Sequence, residues 1–401
     1  MIRSEVLDTV EPSRLENVVA EVLASTPVID IHTHLFAPGF GSLSLWGIDH
    51  LLTYHYLEAE LFRNSTIQSD QYWRLSTTER ADLIWRTLFL ENTPLSEATR
   101  GVIAVLHDLG LDASERTLEP YRAFFRERKL EEHIDCVFRL SGVESAVMTN
   151  DPLDPEETSL WDAIAEDSRF HASLRLDRIL NQETGHSPAD ARQFIEKWAV
   201  RTRALYLAVS LPDSFQFPAE DRRTRLLKEV VLPACRDLNV PLSLMIGVRR
   251  QVNPALRLAG DASGRADLRS FENLCRDFPD NRFLVSILSR ENQHELCVYA
   301  RKFANLMPFG CWWFLNNPSM VEEITRERLE MLGTSFIPQH SDARILEQLI
   351  YKWRNTRRTL APVLARSYRA LAEDGRTVTR AAIERDVQRL FRTNFQTWTS
   401  R

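Results

Sequence analysis

Short runs of apolar, β-prone residues alternate with longer amphipathic stretches along most of the chain. Eight of these runs predict strand cores: 27–31 (PVIDI), 143–149 (VESAVMT), 170–176 (FHASLRL), 204–211 (ALYLAVSL), 241–247 (PLSLMIG), 282–288 (RFLVSIL), 303–310 (FANLMPFG) and 335–340 (SFIPQH). Several are apolar throughout, which is typical of parallel strands covered on both faces. Because helical patterns fill most of the gaps, the chain predicts an α/β fold, a (β/α)8 TIM-like barrel. The alternative is an open, doubly wound sheet.

Two regions depart from this alternation. Residues 40–140, between the first and second strands, carry only helical patterns. We expect them to form a helical insertion over the mouth of a barrel built from residues 1–39 and 141–401. After the eighth strand the pattern predicts two C-terminal helices, the second capped by Thr379, or by Thr377 if it begins earlier.

The composition is that of a globular protein with a sizeable core, with 44% hydrophobic and 26% charged residues. A net charge of −6 argues against nucleic acid or an anionic membrane as the main partner. Five scattered cysteines without a CxxC pair argue against a disulfide framework and a zinc ribbon. The N-terminal stretch shows no signal-peptide pattern and no long apolar run occurs, so we expect a cytoplasmic protein.

The first predicted strand ends in two histidines one residue apart, His32 and His34. Side chains at i and i+2 of a strand project from the same face, so both imidazoles can meet at the C-terminal mouth of a barrel. That arrangement suits one divalent metal ion. The alternative is that each histidine bonds only to a backbone group.

A third ligand is available at the end of the eighth predicted strand. Asp342 would lie beside the first strand if the barrel closes, and a carboxylate completes an N/N/O donor set for an ion such as Zn²⁺. Alternatively, Asp342 caps the following helix. His340, two residues earlier, is a candidate additional ligand or a residue that supports the ligands.

Taken together, the stretches IDIHTHLF, VMTNDPLDP, LRLD, GCWWF and SDAR resemble, in order and spacing, the uronate isomerase family of the amidohydrolase superfamily. The stretches LLTYHYLEAELFR and NTPLSEATRGV are similar to the shorter branch of that family. The resemblance extends from about residue 20 to residue 398. Because it combines many motifs, it is far more specific than the histidine pair alone.

The resemblance implies roles for particular residues. The implied sets are metal ligands at His32, His34 and Asp342, proton-transfer candidates at Asp342, His55 and Tyr56, oxyanion stabilisation by Arg344, and substrate binding by Arg175, Arg344, Trp312 and Trp313. Each assignment has an alternative. Arg175 could belong to a surface ion-pair cluster, His50 competes with His55, and the tryptophans could be core residues, with at most one touching sugar.

This sequence departs from the superfamily pattern at three places. Met245 stands where the longer uronate isomerases carry a histidine at the end of strand five, and His294 lies only inside the helix after strand six. No lysine occurs at the end of strand four, where members with two metals carry one. We therefore expect one metal ion, most simply zinc, with few protein ligands.

The implied reaction interconverts D-glucuronate and D-fructuronate, and also D-galacturonate and D-tagaturonate, by proton transfer between C2 and C1 through an enediol. Such a site needs an arginine for the carboxylate, an electrophile and a base. The alternatives are a metal-dependent hydrolase, for instance of a sugar lactone, and a sugar-acid-binding protein without turnover. The expected partner is a small anionic sugar. Homo-oligomers are common among such barrels, although no interface pattern stands out.

Overall fold

The computed structural model describes residues 8–161, 167–181 and 187–400, which form an α/β fold around a curled parallel sheet. Its strands are β1 (Val28–Thr33), β2 (Val143–Asn150), β3 (Phe170–Arg175), β4 (Leu207–Pro212), β5 (Leu242–Arg249), β6 (Ala262–Ser263), β7 (Phe283–Ile287) and β8 (Leu306–Pro308). The parallel order is β1-β2-β3-β4-β5-β7-β8, while the short β6 pairs antiparallel with β5. Seven of the eight predicted strand cores are confirmed, and the fold is consistent with a TIM-like barrel.

The eighth predicted strand, 335–340, is not a regular strand. Ile337 forms a single parallel bridge with Phe309 of the preceding segment. Pro338 follows directly and has no backbone N–H, so the ladder cannot continue through it. On the other side the Asp342 N–H donates to the His32 carbonyl at 3.2 Å, and the His34 N–H donates to the Ala343 carbonyl at 2.7 Å. The segment therefore lies between β8 and β1 and joins the two edges of the sheet.

Helices surround the sheet and fill the interval between β1 and β2. The first set is α1 (Leu15–Ser25), α2 (Ile48–Leu52), α3 (His55–Asn64), α4 (Ser69–Tyr72), α5 (Thr77–Trp85), α6 (Glu97–Asp108), α7 (Glu119–Arg126) and α8 (Leu130–Ser141). Those between the later strands are α9 (Pro155–Leu160), α10 (Asp177–Asn181), α11 (Pro188–Thr202), α12 (Arg222–Leu226), α13 (Leu232–Asp237), α14 (Arg269–Asp277), α15 (Gln293–Ala300) and α16 (Pro318–Leu332). In the described ranges, no helix is long and apolar enough to cross a membrane.

Three helices close the chain: α17 (Gln348–Glu373), α18 (Arg380–Gln388) and α19 (Asn394–Ser400). The predicted cap of the second C-terminal helix is confirmed, because the Thr379 hydroxyl accepts from the Ala382 N–H at 3.2 Å. Helix α17 is the longest of these, and it packs against α1, α6, α8 and α16. It therefore links the N-terminal helix, the helices between β1 and β2, and the end of the barrel.

Most side chains inside the barrel are apolar and close its centre, with a few buried hydroxyl groups such as those of Tyr206 and Ser243 among them. Along β5, Leu244 and Ile246 pack with the surrounding helices, whereas Met245 packs inside with residues such as Ile31 and Ala208. This alternation is the normal period of a strand. The filled interior leaves the C-terminal mouth as the place for a site.

The helices between β1 and β2 are joined to the start of α17 by buried polar contacts. Glu347, just before α17, accepts from the Gly47 N–H at 3.1 Å and lies 2.7 Å from Nε2 of His133 on α8. The Leu346 N–H also donates to the Leu45 carbonyl at 3.0 Å. These contacts place α2 and α3 beside the segment that closes the barrel. The division of the chain into a barrel and an insertion domain stays a prediction.

Asp30, in the middle of β1, connects three elements. One of its carboxylate oxygens accepts from the Ser341 N–H at 3.0 Å, and the other accepts from the Trp353 indole N–H of α17 at 2.8 Å. The side chain is fully buried, and burial raises its pKa to about 6. Asp30 thus supports the contact between the closing segment and β1 from the outer side of the sheet.

We expect Asp30→Ala to lower the free energy of unfolding by about 2–4 kcal/mol, because it leaves two buried N–H groups without acceptors. Urea unfolding followed by circular dichroism measures this change. Asp70→Ala is the matched control, since the Asp70 side chain is 67% exposed. Its effect should stay within about 0.5 kcal/mol. Equal effects of the two substitutions would contradict the role given to Asp30.

Candidate active site

Three side chains from β1 and the closing segment converge at the mouth of the barrel. Nε2 of His32 lies 3.6 Å, and Nε2 of His34 lies 3.4 Å, from the same carboxylate oxygen of Asp342. The three ligand atoms all lie within 4.8 Å of one another. A register irregularity in the pairing of β1 with β2 lies between Asp30 and Thr33 and thus includes His32, and such irregularities often redirect side chains near sites.

The hydrogen bonds around His32 determine which ring nitrogen carries its proton. The Tyr206 hydroxyl lies 3.3 Å from Nδ1 and donates its own hydrogen to the Ile31 carbonyl at 2.6 Å. The Thr149 hydroxyl lies 3.5 Å from Nδ1 and donates to the Thr33 carbonyl at 2.8 Å. Because both hydroxyl hydrogens are used elsewhere, both oxygens act as acceptors and Nδ1 carries the proton. Nε2 therefore presents its lone pair towards Asp342, the tautomer that a metal ligand needs.

Both imidazoles are neutral near pH 7. Burial lowers the pKa of His32 to about 3, although Asp342 opposes the shift. Burial, followed by the charges of Arg344 and Arg175, lowers the pKa of His34 well below its usual value. The Asp342 oxygen that faces the two rings is buried and has no hydrogen-bond partner among the described residues. Two imidazole nitrogens and one carboxylate oxygen thus converge within 4.8 Å of one another, an arrangement that fits a divalent cation.

The alternative role of Asp342 as a helix cap is wrong. Helix α17 begins only at Gln348, its N-cap position is Glu347, and no side chain caps it. Asp342 instead adopts a left-handed backbone conformation with φ of 53°. This conformation is unfavourable for a residue other than glycine and is common at functional sites.

His340 is fully buried beside the three converging side chains but does not join them. Its ring centroid lies 5.2 Å from that of His32 and 5.3 Å from that of Phe309. Burial lowers its pKa to about 3, and neither ring nitrogen has a hydrogen-bond partner among the described residues. Its role as an additional ligand is not supported by this geometry. It packs against His32 and restricts the orientation of that ring.

Two other histidines from the sequence analysis lie away from the mouth. His294 is exposed, and its Nδ1 pairs with Glu327 at 2.5 Å on the outside of the barrel. His50, the competitor of His55, is also exposed. Met245 lies in the barrel interior, where a thioether takes the place of an imidazole. The cluster of potential ligands in the described ranges therefore consists of the three converging side chains alone.

His55 and Tyr56 begin α3 and approach the mouth from above. The His55 ring lies 5.6 Å from that of Trp313, and its Nε2 is buried without a hydrogen-bond partner among the described residues. Burial, then the charges of Arg344 and Lys352, lowers the pKa of His55 well below its usual value. Burial raises the pKa of Tyr56 well above 10.0. His55 is therefore neutral and Tyr56 protonated near pH 7.

The two predicted arginines differ in their surroundings. The guanidinium of Arg175 pairs with Asp177 through both Nε, at 3.0 Å, and Nη2, at 3.1 Å. The guanidinium of Arg344 has no ion pair or hydrogen bond among the described residues, and its charge lowers the pKa values of His34 and His55. Both arginine charges reach the converging side chains: Arg344 has the larger effect on the pKa of His34, and Arg175 has the larger effect on the pKa of His32. The ion-pair cluster that the sequence analysis gave as the alternative for Arg175 is present, and its residues line a cleft.

That cleft has a volume of about 540 Å³ and contains a residue that the sequence did not indicate. Arg250, just after β5, lines it together with Arg175, and its guanidinium lies 5.9 Å from the Trp313 ring centroid. The sequence also gave no indication of Tyr206, whose hydroxyl orients His32, because the two residues are far apart along the chain and meet only in the folded barrel. The position of Arg250 shortly after the predicted strand 241–247 is the one signal that could have drawn attention to it.

The paired tryptophans occupy different positions, as expected from their adjacency. Both are buried in the interior cluster of the barrel. Trp313 adopts φ of 47° and begins a short 3-10 turn, Trp313–Leu315, which brings its ring beside His55 and Arg250. Trp313 is therefore better placed than Trp312 to contact a ligand in the cleft.

Comparison with solved structures gives clear matches. A crystal structure of a uronate isomerase from Bacillus halodurans C-125 is 46% identical, with a TM-score of 0.95, over 98% of this chain and 97% of that one. A uronate isomerase from Thermotoga maritima matches at 15% identity and TM-score 0.75 over 99% of both chains. A glucuronate isomerase from Caulobacter crescentus matches at 14% identity and TM-score 0.76 over 100% and 97%. The latter two show the fold alone. No protein-family model and no curated protein matches the chain.

We expect the double variant His32→Ala/His34→Ala to lose at least about a hundredfold in affinity for Zn²⁺, because even residues that support a ligand cost ten- to a hundredfold. Elemental analysis after equilibration with Zn²⁺ and dialysis measures the bound metal. His294→Ala is the control, since that imidazole is exposed and remote from the mouth. Unchanged metal content in the double variant would exclude these ligands.

Proposed function

The chain belongs to the uronate isomerase family, and from this premise we propose that it interconverts hexuronate aldoses and their ketoses at a site with one divalent metal ion. The observation that carries the proposal is the 46% identity to a solved uronate isomerase over almost the whole of both chains. The proposed pairs are D-glucuronate with D-fructuronate, and D-galacturonate with D-tagaturonate. The same identity favours isomerisation over the hydrolase and the non-catalytic binding protein.

His32, His34 and Asp342 would hold the metal ion. Two neutral imidazole nitrogens and one carboxylate oxygen form a donor set that suits Zn²⁺, which is the metal that we propose. When bound, such a cation supplies positive charge beside a sugar carbonyl. Arg344 supports the proposed stabilisation of the developing oxyanion, because its guanidinium is unpaired among the described residues and its charge already acts on His34.

The reaction moves one proton between two carbons of the open-chain sugar. A base removes the proton from C2 while O1 takes up a proton, which gives the enediol. The O2 hydroxyl then loses its proton, C2 becomes the carbonyl carbon, and C1 takes up the proton from the base. The base must be unprotonated in the resting enzyme. Neutral His55 meets that requirement, and protonated Tyr56 beside it can donate a hydrogen bond to an enediol oxygen. Asp342 remains the other candidate base.

Substrate binding is proposed for the cleft that adjoins these groups. Arg175 lines the cleft, and the charge of Arg344 acts on His34 and His55, so both arginines would supply positive charge for an anionic sugar. The Trp313 ring, beside His55 and Arg250, would offer an apolar surface for a sugar face. The Trp312 ring belongs to the proposed binding set only as the support of its neighbour. The expected partner is thus a small hexuronate.

Incubation of the Zn²⁺-loaded enzyme with D-glucuronate in D2O tests this function. We expect ketose formation with deuterium incorporated at carbon, because a base that exchanges with solvent handles the transferred proton. Proton NMR follows both signals. Absence of both ketose and exchange for all proposed aldoses would rule out the isomerase.

We expect His55→Asn to lower kcat by about 10²–10⁴-fold with a smaller change in KM, the usual cost of losing a positioned base. In the wild type at saturating metal, kcat/KM should stay level as pH falls below 6.5, since a lowered pKa keeps His55 unprotonated there. Tyr56→Phe is the matched comparison. A loss of exchange in Tyr56→Phe, with exchange retained in His55→Asn, would move the base to Tyr56.

A further inference from the structure

Arg250 lines the cleft, and one bidentate edge of its guanidinium is open among the residues that the structure describes. We infer that Arg250 binds the substrate carboxylate through Nε and Nη2 and thereby selects an acidic sugar over a neutral one. The inference rests on the proposed function and names the residue that binds the carboxylate of the proposed substrate. It adds a residue to the sequence-based expectation, which assigned substrate binding to Arg175 and Arg344 among the arginines.

The pairing of Arg175 with Asp177 limits what Arg175 can offer. A guanidinium meets a carboxylate best through two parallel N–H bonds. Asp177 already occupies the Nε and Nη2 edge of Arg175, at 3.0 and 3.1 Å. A second carboxylate would have to use the remaining N–H groups or displace Asp177. Arg175 therefore supplies fixed positive charge to the wall of the cleft.

Arg250 uses a different part of its guanidinium for its ion pair. Its Nη1 donates to Asp261 at 2.6 Å. Its Nε and Nη2 have no partner within the ranges that the structure describes. Since these two nitrogens lie on the other edge of the guanidinium, Arg250 can receive a carboxylate without breaking its existing ion pair. The side chain is 51% exposed, so the open edge is accessible to a ligand.

The backbone that carries Arg250 is well fixed. Arg250 follows β5, which pairs with β6 through Val248 and Ser263. The buried carboxylate of Asp261 also accepts from the Gln251 N–H at 2.8 Å, so the residue that pairs with Arg250 also closes the loop. An arginine held in this way loses less conformational entropy on binding than a free one.

A contact with the helices above the mouth restrains the same loop. The indole N–H of Trp73 donates to the Ala255 carbonyl at 2.8 Å, and the Arg257 guanidinium lies 4.4 Å from the centroid of the Trp73 ring. The 3-10 turn Pro254–Gly260 also contacts α3, the helix that carries His55. The loop with Arg250 and the helix with His55 therefore pack against each other.

Arg250 also lies close enough to the proposed catalytic groups to serve the same small molecule. Its charge contributes to the lowered pKa values of His34 and His55. Its guanidinium lies over the Trp313 ring, which borders His55. A hexuronate carries its carboxylate at the far end from the reacting carbons. Arg250, on the rim of the cleft that Arg175 lines, suits that end of the molecule.

The test compares three arginine substitutions with a matched control. Arg250→Met removes charge and both donors, Arg250→Lys keeps the charge without the bidentate edge, and Arg175→Met removes the cation of the wall. Arg249→Met is the control, because Arg249 is its exposed neighbour, lies outside the cleft and approaches Asp213 only at 3.9 Å. The readouts are kcat and KM for D-glucuronate, and the dissociation constant of the unreactive diacid D-glucarate by titration calorimetry.

We expect Arg250→Met to raise KM and the D-glucarate dissociation constant by roughly ten- to a hundredfold, with kcat changed less than about threefold. Arg250→Lys should recover only part of this loss, and Arg249→Met should match the wild type. The inference is overturned if Arg250→Met stays within twofold of Arg249→Met, or if Arg250→Lys restores wild-type binding. Should the wild type show no isomerisation, the proposed function fails. D-Glucarate binding then still decides the role of Arg250.

Discussion

The position of every candidate metal ligand depends on a few hydrogen bonds between β1 and the segment that closes the barrel. Asp342 and His32 belong to different ends of the chain, yet the Asp342 N–H donates directly to the His32 carbonyl at 3.2 Å. The Ala343 carbonyl accepts from the next histidine at 2.7 Å. The Asp30 carboxylate adds a bond to the Ser341 N–H, while on the other side the Ile337 N–H donates to the Pro308 carbonyl at 3.0 Å, so the closing segment is bonded to both edges of the sheet. A loss here would separate the carboxylate from the imidazoles before it affected the rest of the core.

The closing segment brings polar groups together at one buried place, where their desolvation is unfavourable. Burial disfavours charge on both imidazoles, and the Asp342 oxygen between them lacks a hydrogen-bond partner in the described ranges. A buried acceptor without a partner costs free energy, and a left-handed aspartate adds backbone strain. Neither cost is explained by packing. A cation held by the three side chains would offset the first of these costs, and the surrounding core stabilises an arrangement that is unfavourable on its own.

The strands and the ligand trio could be predicted because each has a local signature. Apolar runs separated by helical patterns marked seven strands, and His32, His34 and Asp342 follow motifs that fall at strand ends. The eighth strand was overpredicted, because Pro338 interrupts a run that otherwise reads as extended. Arg250 had no such motif. Its proposed role depends on which edge of its guanidinium remains free to bind a carboxylate after folding. That edge is set by a contact eleven residues away, between Arg250 and Asp261.

Met245 occupies the position at which the longer uronate isomerases carry a histidine, so the candidate metal site has one imidazole fewer to position the ion. A site with fewer protein ligands forms fewer bonds to the ion. Its affinity for the ion therefore depends more on whether each donor is already oriented before the ion binds. Two hydroxyl groups determine the tautomer of His32, the buried ring of His340 packs against it, and backbone hydrogen bonds restrain the loop that bears Asp342. In this fold, therefore, the orientation of the candidate donors is set by neighbouring hydroxyl groups, a ring contact and backbone hydrogen bonds, without a further imidazole at Met245.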